Sequence, residues 1–182
     1  MVAVNVCATK IDGVWLVELE PSVDERGSFT RTFDRDVFAE HGLDPRIAQC
    51  STSFNRRAGT LRGMHHQIGT HAEGKLVRCS RGRIFDVVVD LRPDSATHKQ
   101  WVGFELSVDG ARSVFVPEGC AHGFQTLEDE SEVQYQMTTP YAPDHYRGVR
   151  WDDPAFAIDW PQPPAGGRTM SDRDRSFADY VV

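Results

Sequence analysis

The 182-residue sequence predicts a mainly β protein, a jelly-roll-like sandwich or barrel with a few short helices. Three observations lead there. From about residue 46 to 137 short β-rich runs recur roughly every ten residues, the spacing of an all-β sandwich. The breaks between runs carry turn chemistry. No helical segments alternate with the runs, as βαβ units and a parallel sheet would require.

Taken in order, the elements have local reasons. A short helix is expected at "DRDVFAEHGL", where Asp34 or Asp36 caps the start and Gly42 ends it in a left-handed turn. Strands are expected within "RIAQCSTSF", "KLVRCSRG", "RIFDVVVDLR", "QWVGFELSV", "RSVFVPEG", "AHGFQTLED" and "EVQYQMT". They are separated by Arg92-Pro93-Asp94, Asp109-Gly110 and Pro117-Glu118-Gly119, where proline sets φ and glycine permits positive φ. In "FDVVVDLR" the contiguous Val87, Val88 and Val89 suggest a strand covered on both faces. The tail from about residue 161, "PQPPAGGRTMSDRD", should run irregularly over the surface before a last turn near Ser176 to Tyr180. Trp101, Trp151, Trp160, Phe104, Phe115 and Phe124 are expected to pack the core.

Length and composition fit one domain spanning residues 1–182, with 40% hydrophobic and 26% charged residues. No apolar run approaches the roughly 20 residues of a membrane span, and the N-terminus has no signal-peptide pattern, so a cytoplasmic protein without a membrane partner is expected. A net charge of −7 argues against a nucleic-acid partner, which needs a basic face. It leaves room for a small anion held by local arginines. Cys7, Cys50, Cys79 and Cys120 show no ligand spacing and read mostly as buried free thiols.

The chemistry centres on "GTLRGMHHQ", residues 59–67. This stretch and "PEGCAHGF" resemble the two motifs of cupin barrels, which in metal-binding members supply a ligand set. Here Gln67 stands where a second histidine is needed, and His65 and His66, adjacent on a strand, point to opposite faces. No metal is therefore expected. His65 reads instead as a general base, since imidazole accepts a proton near neutral pH. His66, His71 and His145 are expected to be structural or surface residues.

Together with "DERGSF", "GKLVRCSRGRIFDVVVDLRPDS", "EVQYQMTTPYAPDH" and "VRWDDPAFAIDWP", these motifs closely resemble the dTDP-4-dehydrorhamnose 3,5-epimerase family, from about Val14 to Asp174. The resemblance implies a cupin-type jelly roll and a nucleotide-sugar epimerase that needs neither metal nor redox cofactor. It implies that His65 removes the proton α to the C4 ketone, partnered by Asp174 of "SDRD", with Asp172 as competitor. Lys75 would stabilise the enolate, and Tyr135 would act as acid from the opposite face. It further assigns Arg26 and Arg62 to the diphosphate, Gln49 to nucleotide or phosphate, and Tyr141 to stacking on the base. His122 would line the sugar site, with Asp86 acting through it. The Arg26 segment would cross to a second copy by strand exchange, implying a homodimer bound to a dTDP-sugar. The expected reaction is 3,5-epimerisation of dTDP-4-dehydro-6-deoxy-D-glucose. A C3-only epimerase and a non-catalytic nucleotide-sugar-binding cupin are the alternatives. The chain departs from the family's usual letters at Arg31, Ser51 and His66, positions expected to surround the nucleotide.

Overall fold

Residues 4–181 are described by a computed structural model. Thirteen strands form among them: β1 (Val4–Ala8), β2 (Trp15–Leu19), β3 (Ser22–Asp24), β4 (Gly27–Phe29), β5 (Gln49–Asn55), β6 (Leu61–Gln67), β7 (Lys75–Arg81), β8 (Arg83–Asp90), β9 (Trp101–Ser107), β10 (Arg112–Val116), β11 (Cys120–Thr126), β12 (Ser131–Met137) and β13 (Tyr146–Gly148). Two sheets stack as a jelly roll. The larger has the order β1-β2-β10-β7-β12-β5 and the smaller β13-β6-β11-β8-β9, while β3 and β4 pair only with each other. Each strand pair is antiparallel.

The expected runs all become strands, and β1 and β2 add to them at the N-terminal side. Val77, Val88, Val114, Phe124 and Val133 meet between the sheets, packed by the partly buried Tyr135. The valine run of β8 divides as its alternation dictates. Val88 enters this inner core, whereas Val87 and Val89 join a second core with Trp160 and Phe156 on the outer face of the smaller sheet. Phe124, 1% exposed, fills the inner core. Phe124→Ala is expected to cost about 3–5 kcal/mol in urea unfolding, the sum of lost transfer energy and a cavity that the two sheets cannot close.

Helix α1 (Arg35–Glu40) starts as expected. The Asp34 carboxylate accepts the amides of Asp36 and Val37 at 3.2 and 3.4 Å, and Gly42, at φ +71°, ends it. Its Phe38 packs with Val17, Leu76 and Phe115 on the outer face of the larger sheet.

The C-terminal tail differs from its expected course. Proline and glycine deny it regular structure, yet Trp160, Met170 and Tyr180 pack onto the outer face of the smaller sheet. Its helical turn, α2, lies at Asp172–Arg175, because Ser171 accepts the amide of Asp174 and caps the turn there; residues 176–180 are not helical. The cysteines also divide differently: Cys79 and Cys120 are buried, but Cys7 and Cys50 sit exposed on the two edge strands of the larger sheet. No helix among the described residues is long and apolar enough to cross a membrane.

Candidate active site

Strand β6 carries the motif that centres the site. Its register against β11 pairs His65 with His122 but Arg62 with Phe124, so Gly63 and Met64 on β6 oppose Gly123 alone on β11. That bulge matters. In an unbroken strand residues three apart face opposite ways, whereas here Arg62 and His65 both follow the inward faces of Phe124 and His122. Two glycines make the crossing possible. A methyl on Gly123 would lie 2.8 Å from the Arg62 carbonyl and 2.9 Å from the Gly63 Cα, and Gly63 itself has φ +149°.

His65 Nε2 lies 2.8 Å from an Asp174 carboxylate oxygen, and the other oxygen accepts the Gly63 amide at 3.4 Å. Because Asp174 accepts, Nε2 carries the proton and the Nδ1 lone pair is free. Asp172, the competitor, opens the same turn but is exposed, whereas Asp174 is buried. Burial lowers the pKa of His65 below its ordinary 6.5, against the opposing hydrogen bond and charge of Asp174, with the Lys75 charge lowering it further. Burial pushes the Asp174 carboxyl up, but the hydrogen bond and charge of His65, the Gly63 amide and the Ser171 side chain outweigh that, leaving it below the ordinary value. Both shifts favour a neutral imidazole beside a carboxylate. An NMR titration should therefore place the His65 midpoint below 6.5. Asp174→Asn removes the two contributions that raise it and keeps the burial, so the midpoint is expected to move lower still.

Across the interior, β12 presents Tyr135 from the larger sheet, its ring 6.2 Å from His122. Burial, then the charge of Asp86, raise its pKa well above an ordinary phenol, so the hydroxyl stays protonated. His122 Nε2 is 2.7 Å from Asp86, and both side chains are buried. The other Asp86 oxygen is buried without a partner among the described residues.

Lys75, nearly buried, places Nζ 2.8 Å from Glu73, whose other oxygen accepts the Gln67 amide at 3.1 Å. Gln67 also donates to the His71 and Pro140 carbonyls, and its oxygen accepts the Ala142 amide. The residue that breaks the cupin metal pattern is thus a buried node that ties the β6–β7 and β12–β13 loops to the Lys75 ion pair. Among the described residues no three histidine, cysteine, aspartate or glutamate side chains gather as a metal ligand set. Arg62 donates through Nε to Asn55 at 2.8 Å, and Asn55 is itself held by the Ser53 and Ser131 carbonyls. That leaves the guanidinium end free of a carboxylate partner among the described residues. Gln49 accepts the Tyr141 amide at 2.8 Å, and the half-exposed Tyr141 ring stands 5.7 Å from Tyr146.

One assigned residue stands apart. Arg26, at the tip of the β3–β4 hairpin, is exposed and hydrogen-bonds only Asp24 among the described residues. The departures are also located. Arg31 pairs with Asp34 at the surface, and Ser51 lies opposite Tyr135 on β5. His66 is turned away from His65, as alternation requires, but it is not a satisfied residue: its Nδ1 is buried without a partner, and burial, then the nearby positive charges, bring its pKa to about 4. His71 and His145 stack on each other, centroids 4.3 Å apart.

Sequence reasoning missed Glu73, Asn55, Tyr146 and Phe177. A carboxylate two residues before Lys75 was a usable signal for Glu73. The rings of Tyr146 and Phe177, 5.2 and 6.0 Å from His65, left none in a sequence without periodicity.

Fold and site together define an enzyme of the cupin-like class, with a neutral imidazole on one sheet and a protonated phenol on the other. The family model for dTDP-4-dehydrorhamnose 3,5-epimerase matches residues 8–180. The enzyme of that name from Methanothermobacter thermautotrophicus is 45% identical over 169 residues, 93% of this chain and 90% of that protein. The crystal structure of the Bacillus anthracis dTDP-4-dehydrorhamnose 3,5-epimerase with TDP and PPi bound superposes with a TM-score of 0.92 at 39% identity, covering 98% of this chain and 100% of that one. A dTDP-6-deoxy-D-glucose-3,5-epimerase from Legionella pneumophila, in complex with dTDP-4-keto-L-rhamnose, gives 0.90 at 35% identity, covering 96% and 92%. The chain belongs to the dTDP-4-dehydrorhamnose 3,5-epimerase family.

Proposed function

We propose that the protein epimerises dTDP-4-dehydro-6-deoxy-D-glucose at C3 and C5, giving dTDP-4-dehydro-L-rhamnose. The observation that carries this reading is the Asp174-held imidazole of His65, paired in register with His122 on one sheet, with the protonated Tyr135 of the other sheet 6.2 Å from the His122 ring. A C–H next to a ketone is weakly acidic, so its removal needs a base and a positive group where charge develops on oxygen. His65 Nδ1 takes the proton, and Lys75 stabilises the enolate oxygen at C4. Tyr135 then protonates the carbon from the opposite face, which inverts the centre. His65 then releases its proton to solvent and Tyr135 regains one, and repeating the cycle at the second carbon flanking the ketone completes the reaction. Every step moves a proton only, so no electron acceptor enters the balance.

Arg62 suits the diphosphate because Asn55 fixes its Nε and leaves the fork free for bidentate contact. Gln49 orders the Tyr141 loop, on whose ring the base would stack, and His122 with Asp86 lines the sugar. The reading extends to a homodimer in which the β3–β4 hairpin of each copy delivers Arg26 to the other's diphosphate. The exposed Val23 and Phe29 on that hairpin support it, being apolar side chains that a second copy would cover.

Incubating the protein with the substrate in D₂O tests the reading. Deuterium at both C3 and C5 is the expected result. Incorporation at C3 alone would establish the narrower epimerase, and none above the uncatalysed background would leave a nucleotide-sugar-binding protein.

A further inference from the structure

Asp174 sits on a four-residue helical turn, far too short to hold itself in water. Its position is therefore set by what pins the chain on either side. Upstream, Thr169 bridges to β6: the Leu61 amide donates to its carbonyl at 2.9 Å, and its own amide donates to Gly59 at 3.0 Å. Downstream, the ring of Phe177 lies against Gly148, where an added methyl would come within 2.2 Å of it. Three residues later Tyr180 sits in a socket. The Tyr180 amide donates to the buried Asp153 carboxylate at 2.5 Å. Its hydroxyl lies 3.0 Å from His98 Nε2 and 3.4 Å from the Leu91 carbonyl, and its ring packs at 5.3 Å on Phe156.

We infer that Tyr180 is a positioning residue for the reaction: its seat in the Asp153, His98 and Phe156 socket closes the strap that holds Asp174 against His65. Between Thr169 and Tyr180 the chain is otherwise held by side-chain packing, Arg173 over the Tyr146 ring at 3.9 Å and the part-buried Phe177 on Gly148, whereas Tyr180 adds a backbone hydrogen bond to a buried carboxylate. The Arg150–Asp179 ion pair beside the socket is largely solvent-exposed, and such pairs contribute little. Freeing the downstream end lets Phe177 leave Gly148, and the turn carrying Asp174 then loses its fixed distance from the imidazole. Small displacements of an orienting group lower turnover more than they weaken binding, because the substrate's phosphates and base lie elsewhere.

The inference rests on the proposed proton transfer, so its test has one readout that does not. In wild-type protein the His65 Nε2 proton, shielded by Asp174, is expected as a slowly exchanging downfield resonance in the proton NMR spectrum. It should vanish in Asp174→Asn and in Tyr180→Ala. With substrate, Tyr180→Ala is expected to lower kcat about tenfold to a hundredfold with KM changed less than about twofold. Tyr180→Phe, which keeps the ring and the backbone bond, restores most of the turnover. In an Asp174→Asn background Tyr180→Ala should cost almost nothing further, since the group it positions is already gone. An equal loss in both backgrounds would overturn the inference, as would a folded Tyr180→Ala that keeps wild-type kcat and the downfield proton. If the alanine variant does not fold, Tyr180→Leu, which keeps apolar volume in the socket, is held to the same criteria. A wild-type protein without epimerase turnover would remove the functional reading, and the resonance would still decide whether Tyr180 holds Asp174.

Discussion

His65→Ala is expected to lower solvent-exchange and epimerisation rates together by about 10²- to 10⁴-fold, the usual contribution of a positioned general base. The other titratable groups gathered in the site are already engaged or protonated. His122 is engaged with Asp86, Lys75 with Glu73, and Tyr135 is held protonated. On the proposed reading Arg62, Gln49 and Tyr141 hold the nucleotide and remain intact, so KM should change less than turnover. Deuterium incorporation in D₂O, followed by proton NMR of the sugar, measures both effects. Exchange at the wild-type rate in the alanine variant would remove His65 from the mechanism and turn attention to the carboxylates.

Tyr135→Phe separates the two halves of the reaction. The phenylalanine keeps the ring among Val133 and the facing core residues and removes only the hydroxyl. Net epimerisation is expected to fall by about 10²- to 10⁴-fold, since reprotonation from the second face loses its donor. Loss of the substrate's C–H to solvent should persist, because His65 still removes the proton and can return a deuteron to the same face. The diagnostic outcome is deuterated substrate of unchanged configuration. Equal loss of exchange and epimerisation would instead place Tyr135 in the first step. The direction of its pKa supports the donor role: desolvation and the neighbouring Asp86 charge keep the proton on the phenol throughout the neutral range.

Several features were legible in the residues because they depend on local pattern. Turn chemistry between short β-rich runs marked an antiparallel sandwich, and the three contiguous valines of β8 marked a strand with both faces covered. Asp34 followed by an amphipathic turn and Gly42 marked α1. Alternation alone put His65 and His66 on opposite faces. Gln67 was legible as a break in a metal motif, but its work as a hydrogen-bonded node was not, because Pro140 and Ala142 reach it from a loop distant in sequence. The tail was misjudged for a related reason. Proline and glycine report that a segment is irregular and are silent on whether it is buried.

By itself the sequence determined the β-rich architecture, the family resemblance, and the candidate side chains proposed to move protons and bind a diphosphate. Only the tertiary structure decided how they meet. It chose Asp174 over Asp172 as the partner of a histidine 109 residues away, through a cap at Ser171 and a strap closed by Tyr180. It turned Arg62 and His65 to the same face through a bulge that hydropathy does not register, and it left Arg26 outside the cluster. The physical reason is common to all three. Side-chain periodicity fixes direction within one element, whereas contact across sheets depends on register, on close backbone approach at Gly63 and Gly123, and on where the ends of a loop are pinned.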